Sequence, residues 1–284
     1  KQMQTNLLTR GNPKVLKGES QGYLTFILHL APASLSGYNT CASATDGCKL
    51  ACLNTAGRGG IPNARPVTVQ ARNGAMTVSN VIQAARIRKT VWFFQDRAGF
   101  MAQLVKEIRA GIRYAQKMGL IPVFRLNGTS DLRWESVGVD GARNVMELFP
   151  DVQFYDYTKL SNRKDLPANY KLTFSLAENN DLQAWAAASA GLNVAAVFRG
   201  KLPATFMGRT VINGDDSDLR FLGVALHLGH PVCHHKLAFR ASIMRSFSPG
   251  APTVRRRQFA SSGCRPAMCL TSTRRCFRPS KARF

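Results

Sequence analysis

From Ile121 to Asn213 the chain repeats one pattern: a short run of β-branched and aromatic residues, then a polar cluster. Ile121-Pro-Val-Phe-Arg-Leu126 ends in Asn127-Gly-Thr-Ser-Asp131, and Val152-Gln-Phe-Tyr-Asp-Tyr157 ends in Thr158-Lys159. Lys171-Leu-Thr-Phe-Ser-Leu176 ends in Ala177-Glu178-Asn179-Asn180, Asn193-Val-Ala-Ala-Val-Phe198 in Arg199, and Thr210-Val-Ile-Asn213 in Gly214-Asp215-Asp216-Ser217-Asp218. Tyr23-Leu-Thr-Phe-Ile-Leu-His-Leu30 starts the series, and Val91-Trp-Phe-Phe94 reads as a further strand. Between the runs lie helical segments. Phe100, Leu104, Ile108 and Ile112 share one face of a helix ending near Lys117 and Gly119, with Lys106, Glu107, Arg109 and Arg113 largely opposite. An alanine-rich helix from Leu182 to Ala190 is closed by Gly191. Strands alternating with helices predict parallel βαβ units, and six or seven of them predict an α/β fold built as a complete or partial parallel β/α barrel.

In that architecture the C-terminal ends of the strands carry the chemistry. Cys41, Asn127, Asp131, Asp156, Lys159, Glu178, Arg199 and Asp215 all fall there. Asp156 sits inside a strand between two tyrosines, where an unpaired carboxylate is costly, so it is expected to be paired or functional. Asp156, Lys159 and Glu178 are the candidates for acid, base or anchor. Asn127, Thr129 and Asp131 suit hydroxyl or amino groups of a ligand, although the same residue types also cap turns and helix starts.

The strongest chemical signal is a group of cysteines. Cys41, Cys48 and Cys52 are separated by six and three residues, in the loop after the first strand and before Gly57-Arg58-Gly59-Gly60. Three thiolates can hold a metal and leave one position open, as catalytic sites do. Arg58 would supply positive charge, and the glycine-rich turn would bring backbone N–H groups to an anion. The alternative is three buried thiols packed as small hydrophobes. No phosphate-binding loop, His-Glu-x-x-His or Gly-x-Ser-x-Gly pattern occurs. With His29 the one histidine before residue 223, histidine-based acid–base chemistry is nearly excluded.

Charge divides the chain. Of 284 residues, 39 are Lys or Arg and 16 Asp or Glu. Residues 223–284 hold 12 basic residues and no acid, together with Cys233, Cys264, Cys269, Cys276 and four of the five histidines. The cysteines lack metal-site spacing. We read 1–222 as the folded domain, with a net charge of +11, and 223–284 as a basic tail outside it, of the composition an out-of-frame translation yields. The positive balance suits phosphate-rich partners, so nonspecific nucleic-acid contact is expected beside a small-molecule or nucleic-acid substrate. No run approaches the length that spans a membrane, and the first residues lack a signal-peptide core, so the chain is expected in the cytoplasm, with its cysteines reduced.

Several segments together resemble the gene product 88 family of bacteriophage and prophage proteins. They include Leu7-Leu-Thr-Arg-Gly-Asn-Pro-Lys14, the block from Gly37-Tyr-Asn-Thr-Cys41 to Gly60, Gln83-Ala-Ala-Arg-Ile-Arg-Lys-Thr90 and Phe93-Phe-Gln-Asp-Arg97. Arg125-Leu-Asn-Gly-Thr-Ser-Asp131, Phe149 to Lys159, Leu166-Pro-Ala-Asn-Tyr170 and Asp215-Asp-Ser-Asp-Leu-Arg-Phe221 carry it further, to about Leu222. Such a resemblance implies a phage protein acting in the host cytoplasm, with no assigned activity. A second, architectural resemblance is to the radical S-adenosylmethionine enzymes, which also carry three cysteines in the loop after the first barrel strand. It implies a [4Fe–4S] cluster on Cys41, Cys48 and Cys52, with S-adenosylmethionine on the open iron and Asn127, Thr129, Asp131, Arg58 and Arg199 around it. The spacing departs from that superfamily's usual three and two. A zinc ion at the same cysteines, in a nucleic-acid-associated or structural protein, is the alternative.

Overall fold

The computed structural model describes residues 6–10, 17–198 and 200–222, and the backbone of 227–231. The chain divides into a unit of Lys1–Ser242 and a second, Ile243–Phe284, which lies outside the described residues, as do Arg199 and the tail cysteines.

The main sheet contains β1 (Leu8–Thr9), β2 (Tyr23–Leu28), β5 (Ile121–Arg125), β6 (Gln153–Thr158), β7 (Tyr170–Ser175), β8 (Asn193–Phe198), β9 (Thr205–Phe206), β10 (Arg209–Asn213) and β11 (His227–Pro231). Their order across it is β1-β2-β5-β6-β7-β8-β11-β10-β9. Every pairing from β2 through to β10 is parallel, and the two edge pairings are antiparallel. A separate hairpin joins β3 (Val67–Ala71) to β4 (Gly74–Val78). The helices are α1 (Asp46–Leu50), α2 (Val81–Gln95), α3 (Arg97–Lys117), α4 (Val145–Leu148) and α5 (Asp181–Ser189).

One face of the sheet takes the helices. Leu24, Phe26 and Leu28 of β2, Phe124 of β5, Phe154 of β6 and Leu172 of β7 pack with Phe100, Leu104 and Ile108 of α3. Phe174 and Val194 continue that face against Ala184, Ala187 and Ala188 of α5. Alternation turns Val123 and Tyr155 to the other face, where Leu219 and Phe221 cover them. Arg125 lies on that face too, paired with Asp218 at 3.2 Å.

The parallel α/β expectation holds, with two corrections. Among the described residues the sheet is open, so no complete barrel forms. Closure would need the free edge of β2 to meet the far end of the sheet, but β1 occupies it, with Leu8 opposite Leu28. At the far end β11 inserts between β8 and β10, so strand order no longer follows the chain. The second correction concerns Val91-Trp-Phe-Phe94, which lies inside α2. Asn80 caps that helix by accepting the Ile82 and Gln83 N–H groups. Ala84, Ile87 and Val91 then pack on Val69, Ala71 and Val78 of the hairpin, while Phe93 turns to Phe100 and Trp134. A helix buried on two sides produces a continuous apolar run that locally looks like a strand.

Composition put a boundary after Leu222. Beyond it, His227–Pro231 is a strand of the sheet, paired with β8 over five positions and with β10 over three.

Candidate functional site

The loops leaving the C-terminal ends of β2, β5, β6 and β7 are joined by hydrogen bonds along one edge of the sheet. From the β5 loop, the Asp131 N–H donates to the Thr40 carbonyl at 2.8 Å. The Thr129 hydroxyl donates to the Leu30 carbonyl at 2.6 Å, and the Thr129 carbonyl lies 3.8 Å from Cys41 Sγ. Asp131 Oδ2 accepts the Lys159 N–H at the end of β6 at 2.8 Å. Glu178 Oε1, just after β7, accepts the Gly47 N–H beside Cys48 at 2.9 Å.

The three cysteines are free and half-buried. Thr45 caps α1 by accepting the Cys48 N–H at 3.1 Å. Cys52 Sγ accepts the Asn54 N–H at 3.5 Å, and Asn54 is itself held by Arg86. Burial pushes the Cys41 thiol up, against hydrogen bonds from the Ala33 backbone and Thr40, with Asp131 and Cys52 adding repulsion. Burial likewise raises Cys52, with Cys48 adding repulsion, while the Asn54 N–H, Arg86 and Lys159 act the other way. The thiols therefore sense one another. Among the described residues, however, no group of three or more His, Cys, Asp or Glu is arranged to hold a metal ion. The donor set suits a thiophilic metal in its chemistry.

Lys159 is central to the rim: its charge is felt by Cys52, Asp131 and Glu178. Burial pushes Asp131 up, against hydrogen bonds from the Lys159 backbone and Thr158 and the charges of Arg163 and Lys159. Slight burial works to raise Glu178, but hydrogen bonds from its own backbone, Thr45 and Gly47, with Lys159 nearby, bring its carboxyl below the usual value.

Two other candidates are engaged in holding the β5 loop. Asn127 Oδ1 accepts from Ser130, Leu132 and Trp134, and its Nδ2 donates to the Leu132 carbonyl. Asp156, buried, accepts the Leu126 and Asn127 N–H groups and the Tyr170 hydroxyl. Arg58 is exposed, on a turn whose glycines have a packing role. A Cβ on Gly59 would lie 2.6 Å from the Asn54 carbonyl oxygen. Asn80 Nδ2 and Gln83 Nε2 fasten the same turn through the Arg58 and Gly59 carbonyls.

Burial raises the Asp156 carboxyl from 3.8 to about 7, against the pull of Arg125, the Asn127 N–H, Tyr170 and Arg163. The folded value exceeds the unfolded one, so the native state binds the extra proton between those limits. The stability this group contributes is full at the acid end and is lost as pH rises through the window. Urea midpoints of wild type and Asp156→Asn at about pH 5 and about pH 8 test this. Wild type is expected to lose ground to the variant on going to the higher pH, and an unchanged difference would contradict the raised value.

Sequence reasoning missed Arg163, whose side chain is 2% exposed and joins Glu135, Tyr170 and Asp131. It sits in the polar loop after β6, with no motif to mark it. Arg86, which holds Asn54 next to Cys52, lies in the Gln83–Thr90 segment that carries the resemblance but was not singled out as a site residue. His29 is kept neutral: burial, then Arg86, Arg125 and Lys89, lower it to about 3.

Among the described residues no helix is long and apolar enough to cross a membrane. No match was found among curated proteins or solved structures, so the comparisons give no support to the radical-enzyme likeness. The family model described as Gene product 88 matches residues 6–241, a span that takes in the cysteine loop, the strand ends and β11. By that match, over most of its length, the chain belongs to the gene product 88 family.

Proposed function

We propose that this rim is the active site of an iron–sulfur enzyme acting on a small substrate, with Cys41, Cys48 and Cys52 as ligands of a [4Fe–4S] cluster. The observation that supports it is the joining of a three-thiol loop to the loops after β5 and β7, with the β5 loop tied in turn to the end of β6, at the edge where parallel sheets bind their substrates. Three thiolates leave one iron without a protein ligand, and that position suits S-adenosylmethionine, which there would supply radical chemistry. The chain's own residues would bind and orient. Thr129 and Asp131, beside Cys41, would meet polar groups of the ligand. Lys159 would anchor an anionic group of the substrate, and Asp156 would keep the β5 loop in place.

Purification without oxygen, followed by iron and acid-labile sulfide analysis, is expected to give about four of each per chain. Replacing any one of the three cysteines by Ser should abolish the brown colour. A colourless protein carrying zinc, or a metal-free one after reconstitution, would remove the reading. Because burial holds the Cys41 and Cys52 thiols up, cluster formation must displace protons. Reconstitution yield is therefore expected to climb with pH through the neutral-to-alkaline range, and a flat profile would count against these two ligands.

A further inference from the structure

Residues 47–95 contain seven Lys or Arg and no Asp or Glu. At the density of 16 acids in residues 1–222, a stretch this long would hold roughly three or four. The stretch is also one structural piece. It starts in the cysteine loop, forms the β3–β4 hairpin and ends in α2. Asn80 joins the parts: it caps α2 and donates to the carbonyls of Arg58 and Ile61, while the Asn63 N–H donates to the Ser79 carbonyl.

The hairpin has two distinct faces. Val69, Ala71 and Val78 are buried against α2. Thr68 and Gln70 are exposed on β3, with Thr77 opposite Thr68 on β4, and Arg72 is exposed in the turn that follows β3. Lys49, Arg58 and Arg65 are exposed along the adjoining loops. A five-residue strand spans about 17 Å, so Arg65 and Arg72, at its two ends, are too far apart to serve one small anion. They suit a polyanion with repeated charges.

We propose that the β3–β4 ribbon and the Arg58 turn form a docking surface for duplex DNA, held chiefly through its phosphates. A two-stranded ribbon fits the major groove, which is about 12 Å wide. Threonine hydroxyls, a glutamine amide and arginines are the groups that contact phosphate and sugar. An anionic lipid surface is the competing polyanion, but the exposed row of the ribbon is polar, whereas insertion into lipid calls for apolar side chains there.

The test uses the full chain and a fluorescein-labelled duplex of about two helical turns, with binding read by anisotropy over a salt series. The basic residues beyond 222 are common to every variant, so the comparison is between variants. Arg58→Glu/Arg65→Glu/Arg72→Glu is expected to weaken binding by at least about tenfold at about 0.1 M salt and to reduce the salt slope by about 3. The milder Arg58→Gln/Arg65→Gln/Arg72→Gln should fall between it and wild type. Lys106→Glu/Arg113→Glu/Lys117→Glu, an equal charge change on the exposed side of α3, should bind like wild type. The proposal is overturned if the first variant binds like wild type or if the α3 variant loses as much. It is also overturned if phosphatidylserine vesicles, rather than DNA, lose affinity in the first variant. No step of this assay involves a metal, so its result stands apart from the iron content.

Discussion

Truncation after Leu222 is expected to remove much of the stability of the sheet, whereas truncation after Ala241 leaves it intact. The shorter chain lacks β11, which pairs with β8 from His227 opposite Val194 to Pro231 opposite Phe198. On its other side β11 pairs with Val211, Ile212 and Asn213 of β10. Among the described residues β10 reaches the rest of the sheet only through β11, so the β9–β10 hairpin would be left with side-chain ties such as Arg209 to the Leu192 carbonyl. Two strand edges would be opened, and unpaired backbone groups that stay buried cost about 1–3 kcal/mol each. A total loss of at least about 3 kcal/mol, or about 10 °C in Tm, is expected. The chain ending at Ala241 keeps β11 and the whole family match. Thermal unfolding followed by circular dichroism decides: equal midpoints and steepness for the two truncations would mean that β11 contributes nothing.

Arg163→Met should lower stability by about 3–5 kcal/mol, the usual cost of removing one partner of a buried ion pair. The side chains of Arg163 and Glu135 are 2% and 7% exposed. Arg163 Nε donates to Glu135 Oε1 at 2.9 Å, Nη2 also reaches Glu135, and Nη2 donates to the Tyr170 hydroxyl at 3.2 Å. Nη1 faces Asp131 Oδ1 at 3.8 Å. Methionine fills much of the space but leaves the Glu135 carboxylate buried without its cation. Adding Glu135→Gln to Arg163→Met should recover part of the loss, and Arg163→Lys should not restore the wild-type value, because an ammonium cannot make the forked contact. Urea titrations of wild type, Arg163→Met, Glu135→Gln and the double variant give the coupling, with Arg163→Lys measured beside them. A loss below about 1 kcal/mol for Arg163→Met would show that the cluster is hydrated and weak.

The segments with a strong period were legible in the amino-acid order. Phe100, Leu104 and Ile108 repeat every fourth residue because one face of α3 packs on the sheet. Runs such as Val123-Phe124 and Val194-Ala-Ala196 are apolar because strands of a parallel sheet are largely buried. The hairpin carries a local signature too, the alternation of Val67 to Ala71 followed by the Arg72-Asn73 turn and Gly74, but it was not among the strands read from the sequence. The polar residues read as strand ends do lie at the C-terminal edge of the sheet. What each does there was decided by partners that no local period marks, some near in sequence and some far. Asn127 answers to Trp134 and Leu132, Asp156 to Tyr170, and Cys41 to Thr129, which is 88 positions away. The open edge of the sheet had no local signature either: β1 is two residues long and is tied down by Glu107, a hundred positions on. Periodicity records only which side of an element is buried. Which element covers that side, and which polar group completes a buried hydrogen bond, is settled when the chain closes over long distances.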